Sequence, residues 1–271
     1  MLYTYGLKVG AKLATRGKWN AGLRYLVRPV NYWRAIEYQL IYDAARFTAA
    51  DRVLDIGSPK LLALYLAKVV GAEVWSTDID DYFLETHTLA AELEGIPESR
   101  LHAQVEDGRR LTFEDAFFDK VYSLSVLEHI PGDGDSECAH EIGRVLKPGG
   151  RGFLTVPFSP VSRIDHIKDT GVYWTEHSER TADGEVFYQR RYSEDDLHRR
   201  LIAPSGLVLN RLAYVGEKVM TRSSRELSDY LPAVTGPVQP LLSKLLHTRP
   251  VDSWRELAKP LCAFIVLERP V

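Results

Sequence analysis

The chain has 271 residues, 45% of them hydrophobic and 26% charged, with a formal net charge of -3 at pH 7. That composition can bury a sizeable core as one large α/β domain, and it excludes a disordered chain and a protein with an overall bias toward polyanions. Its two cysteines, Cys138 and Cys262, form no C-x-x-C pair, which removes a zinc knuckle and a disulfide framework and fits a reducing cytoplasm. No apolar run approaches the ~18 to 20 residues needed to span a bilayer, and no charged stretch with an apolar signal core opens the sequence. A soluble, cytoplasmic protein is expected.

Residues 1–50 are unlike the rest. They carry Lys8, Lys12, Arg16, Lys18, Arg24, Arg28, Arg34 and Arg46 against only Glu37 and Asp43, interleaved with Tyr3, Tyr5, Trp19, Tyr25, Tyr32 and Trp33. Such a mixture suits a peripheral contact with an anionic membrane surface or a nucleic acid. The favoured reading is a helical arm or cap of amphipathic helices that pack on the domain with their cations solvated.

From Arg52 onward short apolar runs alternate with helical periodicity. Runs at 52–56, 73–77, 101–105, 120–125 and 151–156 read as strands, and 61–70, 82–93 and 137–146 as helices. This alternation implies βαβ units and a parallel sheet covered on both faces. Lys147-Pro148-Gly149-Gly150 follows the last of these helices with a cation for the helix dipole, a proline that cannot continue it and a glycine tolerant of left-handed dihedrals. Residues 157–191 show weak periodicity, many aromatics and no clear strand, which reads as a lid. A helix capped by Ser193 over 193–201, strands at 207–214 and 263–267, and a helical insertion over 219–259 with short helices at 227–231, 241–247 and 254–257 complete the chain. The domain proper is assigned to 51–271.

A parallel sheet binds ligands beyond the carboxyl ends of its strands, so the residues just after each run carry the functional information. After the first strand comes Asp55-Ile56-Gly57-Ser58-Pro59-Lys60-Leu61, and 21 positions beyond Gly57 stands Asp78, a spacing suited to an acid gripping ribose hydroxyls. Pyrophosphate would need further glycines where Pro59 and Leu61 stand, so a phosphate-bearing dinucleotide and a nicotinamide oxidoreductase are disfavoured. S-adenosylmethionine carries no phosphate. Ser58 as N-cap and Pro59 as first helical residue would aim a positive helix end at its carboxylate.

The ordered set Val53-Leu54-Asp55-Ile56-Gly57-Ser58, Ser76-Thr77-Asp78, Asp107 to Phe113, Phe118-Asp119-Lys120-Val121, Val126-Leu127-Glu128-His129-Ile130 and Arg144 to Gly150 resembles the class I methyltransferases, in particular their small-molecule subgroup. The resemblance covers residues 50–157 and implies a Rossmann-like seven-stranded sheet in the order 3-2-1-4-5-7-6 with the last strand antiparallel. It implies S-adenosylmethionine as cofactor, with Asp55 and Gly57 at its methionine end, Asp78 on its ribose, Asp107 and Gly108 at its adenine edge and Ser125 beside its sulfonium. Ile56, Ser58 and Ile79 stand in the same loops and complete the expected cofactor site. Pro59 and Leu61 depart from the family's glycine loop, so a non-catalytic binding or scaffold protein is kept as the alternative.

Methyl transfer needs a placed acceptor and excluded water, and a base where the acceptor carries a proton. His129, after the fourth strand, is the first candidate, followed by His166 and His177 in the lid. Their spacing matches no common metal signature, and no metal is expected. The aromatic lid, with Phe158, Tyr173, Trp174, Phe187, Tyr188 and Tyr192, suits a metabolite, natural product or lipid- or sugar-linked acceptor. No Asn/Asp-Pro-Pro-aromatic tetrad follows the fourth strand, so nucleic-acid methylation is disfavoured, with RNA kept as a minority reading and a homodimer left open.

Overall fold

The apolar runs pair as a sheet because each is rich in residues that fill both of its faces. The computed structural model describes residues 1–168, 181–219 and 233–271. Strands β1 (Arg52–Ile56), β2 (Glu73–Asp78), β3 (Leu101–Val105), β4 (Phe118–Leu124) and β5 (Leu146–Pro157) run parallel, with pairings such as Val53 to Val74 and Leu54 to Val121. Strands β8 (Val208–Gly216) and β9 (Pro260–Glu268) complete a seven-stranded sheet in the order β3-β2-β1-β4-β5-β9-β8. β9 is antiparallel to both of its neighbours, so the expected order and the reversed last strand are both present.

Helices cover the two faces. On one lie α1 (Leu2–Thr15), α3 (Tyr32–Ala45), α4 (Leu61–Tyr65) and α5 (Tyr82–Glu94), whose Val9, Leu13, Ile41, Leu62 and Leu64 share a core with Val53, Val74, Tyr122 and Phe153. The basic N-terminal arm therefore belongs to the domain's own core. Lys12 and Lys18 stay at the surface, pairing with Glu94 and Glu85, whereas Arg34 turns inward to Glu37. α2 (Trp19–Val27) crosses against α1. On the other face α6 (Gly134–Val145) and the helical segment 194–205, containing α7 (Glu194–Asp196) and α8 (Ala203–Ser205), bury Ile142, Val145, Leu197 and Leu201 against Leu54, Val121 and Leu154. Ser193 caps that segment as expected, in a reciprocal box with Asp196.

Two local expectations are corrected. The helix over 61–70 is α-helical only to Tyr65 and continues as a π turn to Val70, closed by Gly71 in the left-handed region. The lid is not strandless: β6 (Arg163–Lys168) and β7 (Glu185–Arg191) form an antiparallel ribbon, held by Asp165, which accepts from Gln189 and Arg191 on the opposite strand. Polar cross-strand pairs replace apolar alternation there, which hid the strands from a hydrophobicity pattern. The expected short helix at 227–231 lies outside the described residues, while the other two are found as α9 (Gln239–Leu246) and a 3-10 turn at Trp254–Glu256. Among the described residues no helix is long and apolar enough to cross a membrane.

α6 approaches α8 closely only because residue 143 lacks a side chain: a Cβ there would stand 1.9 Å from the Ser205 carbonyl oxygen. Gly143→Ala should therefore push the two helices apart and lower stability by about 1 to 3 kcal/mol. Chemical denaturation would show this as a lower midpoint, and an unchanged midpoint would mean that the helices do not touch.

Candidate active site

The chain leaves β1 through a turn that depends on Gly57, whose φ is +63° and whose N–H donates to the Thr77 carbonyl at 3.0 Å. A Cβ there would also lie 2.8 Å from Val126 Cγ1, so the position rejects a side chain on two grounds. Asp55 is fully buried beneath the turn and accepts from the Ser58 N–H at 3.1 Å and the Ser76 hydroxyl at 3.2 Å. Burial pushes its carboxyl up to about 6, against the opposing pull of Lys60 and of these bonds. Ile56 points into the core. Ser58 is not the expected N-cap: its Oγ accepts from the Leu124 N–H at 2.9 Å, so it ties the turn to β4, and Lys60 stands at the cap of α4 with no side-chain capping bond.

Asp78 ends β2 as expected, but its carboxylate already has a partner. Lys60 Nζ lies 3.1 Å from Asp78 Oδ2 and donates to the Thr77 carbonyl at 2.7 Å, and the two side chains are only 10% and 12% exposed. Ile79 follows at the surface. Beyond β3, Asp107 is gripped by Arg109 through Nε and Nη2, bonds that hold its carboxyl below the usual range. Gly108 packs on Ile56 and Cys138, bringing this loop over the end of β1.

At the ends of β4 and β5 the structure assembles side chains that sequence reasoning passed over. Glu37 of α3 is fully buried, and its Oε1 accepts from the Ser125 hydroxyl and, at 2.7 Å, from the Thr155 hydroxyl. Its Oε2 takes Arg34 Nη1 at 2.6 Å, and the same nitrogen donates to the Leu124 carbonyl at 2.9 Å. Ser125 is held at φ +49°, and Trp33 Nε1 reaches its Oγ at 3.4 Å. Glu128, in the 3-10 turn Leu127–His129, is buried with one carboxyl oxygen lacking a hydrogen-bond partner. Burial first, and the nearby Glu37 charge, push its carboxyl up to about 8. The available signals were weak: an Arg and a Glu three apart behind an Asn31 N-cap, and one acid inside the apolar run Val126-Leu127-Glu128.

His129 stands at the same edge. Its Nδ1 lies 2.7 Å from the Tyr188 carbonyl and must donate to it, which binds this turn to β7 and leaves Nε2 as the basic nitrogen. His166 lies on β6 opposite Phe187, on the separate ribbon, and His177 lies outside the described residues. The three expected histidines are thus not assembled as one group by the described structure.

Residues 54–154, spanning the first strand through most of β5, match the family model described as a methyltransferase domain. With the strand order described above, they carry the Rossmann-like methyltransferase fold. The cofactor of this family is S-adenosylmethionine. The domain is 31% identical over 112 residues to the methyltransferase GfsG of Streptomyces halstedii, covering 41% of this chain and 39% of that one. It is 35% identical over 104 residues to sterol 24-C-methyltransferase ERG6B of Gibberella zeae, covering 36% and 26%. The chain thus spans well under half the length of these curated relatives. Among solved structures, a SAM-dependent methyltransferase from Methanosarcina mazei superposes with a TM-score of 0.53 at 17% identity, covering 84% of this chain and 97% of that one. The [4+2]-cyclase SpnF does so with 0.56 at 18%, covering 88% and 81%.

The raised carboxyl of Glu128 carries a stability consequence. Folding holds it protonated from its ordinary 4.5 up to about 8, and across that window the unfolded chain binds fewer protons. The contribution is complete at acidic pH and is lost as pH rises through the window. Glu128→Gln keeps the shape without the titration, so its stability relative to wild type should rise from pH 5 to pH 8 in urea denaturation. Parallel curves for the two proteins would mean that Glu128 is solvated.

Proposed function

We propose that the chain transfers a methyl group from S-adenosylmethionine to a small-molecule acceptor held between α3 and the carboxyl ends of β4 and β5. The observation that carries this reading is the convergence of Arg34, Glu37, Ser125, Thr155 and the buried Glu128 carboxyl, one of whose oxygens lacks a hydrogen-bond partner, at that edge. The donor set suits the cofactor. Asp78 would take the ribose hydroxyls, Asp107 the adenine edge and Arg34 the carboxylate of the methionine end, while the Leu124 carbonyl and Glu128 offer acceptors for its ammonium. Gly57, Asp55 and Ser58 would shape the turn over which it lies.

Bound there, the cofactor supplies an electrophilic methyl group. The protein's own task is then to hold the acceptor within ~3 to 3.5 Å and in line, and to exclude water. His129 Nε2, the nitrogen not engaged by Tyr188, would take a proton from a hydroxyl or ammonium acceptor, a role typically worth ~10² to 10⁴ in rate. His166, on β6, and His177, outside the described residues, are secondary candidates. A small acceptor agrees with the names of similar proteins, among them the sterol 24-C-methyltransferases and the Burkholderia thailandensis 1,6-didemethyltoxoflavin-N1-methyltransferase, whose structure holds its acceptor and S-adenosylhomocysteine and superposes with a TM-score of 0.53 at 15% identity, covering 89% of this chain and 79% of that one.

A second reading, a binding or scaffold protein that keeps the fold without catalysis, is favoured by Pro59 and Leu61 in the glycine loop. Incubation with methyl-labelled S-adenosylmethionine and fractionated cell extract should put label in the small-molecule fraction; label confined to RNA would overturn the acceptor class, and no label at all would favour the scaffold. Asp78→Ala should weaken binding of S-adenosylhomocysteine by at least about fivefold in calorimetry, because two ribose hydroxyls lose a charged acceptor. An unchanged dissociation constant would place the ribose elsewhere.

A further inference from the structure

The glycine loop departs from the family not only by losing glycines but by gaining a cation. Lys60 stands between two of them in sequence and turns its ammonium onto the carboxylate that ends β2. One bond goes to Asp78 Oδ2 at 3.1 Å and one to the Thr77 carbonyl at 2.7 Å, so the head is fixed at two points. With the Asp78 side chain only 12% exposed, little of the carboxylate faces outward. A ribose diol and an ammonium want the same thing from that group, since both are hydrogen-bond donors and both seek its lone pairs. Pro59 has no N–H to offer the sugar in compensation.

We propose that Lys60 is an internal competitor for the ribose site: its ammonium occupies Asp78 until a ribose-bearing ligand displaces it, and so residue 60 sets the affinity for the cofactor. Displacement breaks one of two bonds, because the ammonium can keep the Thr77 carbonyl while it turns from Asp78. Buried Asp55 lies within its electrostatic reach and provides counter-charge for the released head. The inference rests on the reading of Asp78 as the ribose acid.

The test is the dissociation constant of S-adenosylhomocysteine, measured by calorimetry on the full chain for wild type, Lys60→Met, Asp78→Asn and the double variant. Lys60→Met keeps the aliphatic stem and should bind roughly two- to fivefold more tightly, the range expected for removing a partly screened ion pair that binding must otherwise break. The gain should vanish in the Asp78→Asn background, so that the double variant binds like Asp78→Asn alone. 5′-Methylthioadenosine, which has the ribose but no amino-acid end, should gain by the same factor, which separates competition for the sugar from any effect on the carboxylate. Lys60→Gln, which can still donate to the Thr77 carbonyl, carries the same expectation if the methionine variant melts early. Equal or weaker binding by both Lys60 variants, with wild type binding well, would overturn the competitor and leave the cofactor reading standing. A wild type and variants that all fail to bind would overturn both.

Discussion

The arrangement at the sheet's edge depends on one buried carboxylate. Glu37 has no access to solvent, and it is tolerable there only because the Ser125 and Thr155 hydroxyls and the Arg34 guanidinium all donate to it. Those donors come from β4's end, from β5 and from α3 itself, so one side chain locks α3 over two strands. Removing Arg34 would leave the carboxylate without its counter-charge in a poorly hydrated place, and breaking such a pair typically costs ~3 to 5 kcal/mol. The lock also positions Arg34 against the Leu124 carbonyl and draws Ser125 into its left-handed conformation. What looks in sequence like a basic appendage is, in space, the roof of the site.

Much of the sheet was legible because each strand announces itself twice, by an apolar run and by the turn chemistry that follows it. The strand from Leu101 to Val105 has the expected bounds, and β1 ends at the Asp55-Ile56-Gly57 turn that the motif requires. The ribbon β6–β7 was illegible for the opposite reason. Its cohesion comes from Asp165 bridging Gln189 and Arg191, a pattern that appears only once the two segments are set side by side. The site divides in the same way. Asp55, Gly57, Asp78 and Asp107 lie at fixed offsets from strands, so a linear reading can nominate them; Arg34, Glu37 and Glu128 are marked as candidates only by burial and partnership, which a linear sequence does not display.

The fold alone leaves the chemistry open. A cyclase superposes on this chain about as well as methyltransferases do, at identities that speak only to architecture. What distinguishes one occupant of this fold from another is the set of charges aimed at the edge and the groups they already hold. Here two acids of that edge, Asp78 and Asp107, are each engaged by a neighbouring cation, Lys60 and Arg109. The edge is thus electrostatically quieter than a count of its carboxylates suggests.

The bond between His129 and the backbone of Tyr188 joins the turn after β4 to the ribbon that flanks it. Tyr188 contributes a main-chain oxygen, so no substitution of its side chain severs the tether. In the proposed reaction, the backbone of the ribbon would therefore set which way the imidazole faces and which of its nitrogens can take a proton.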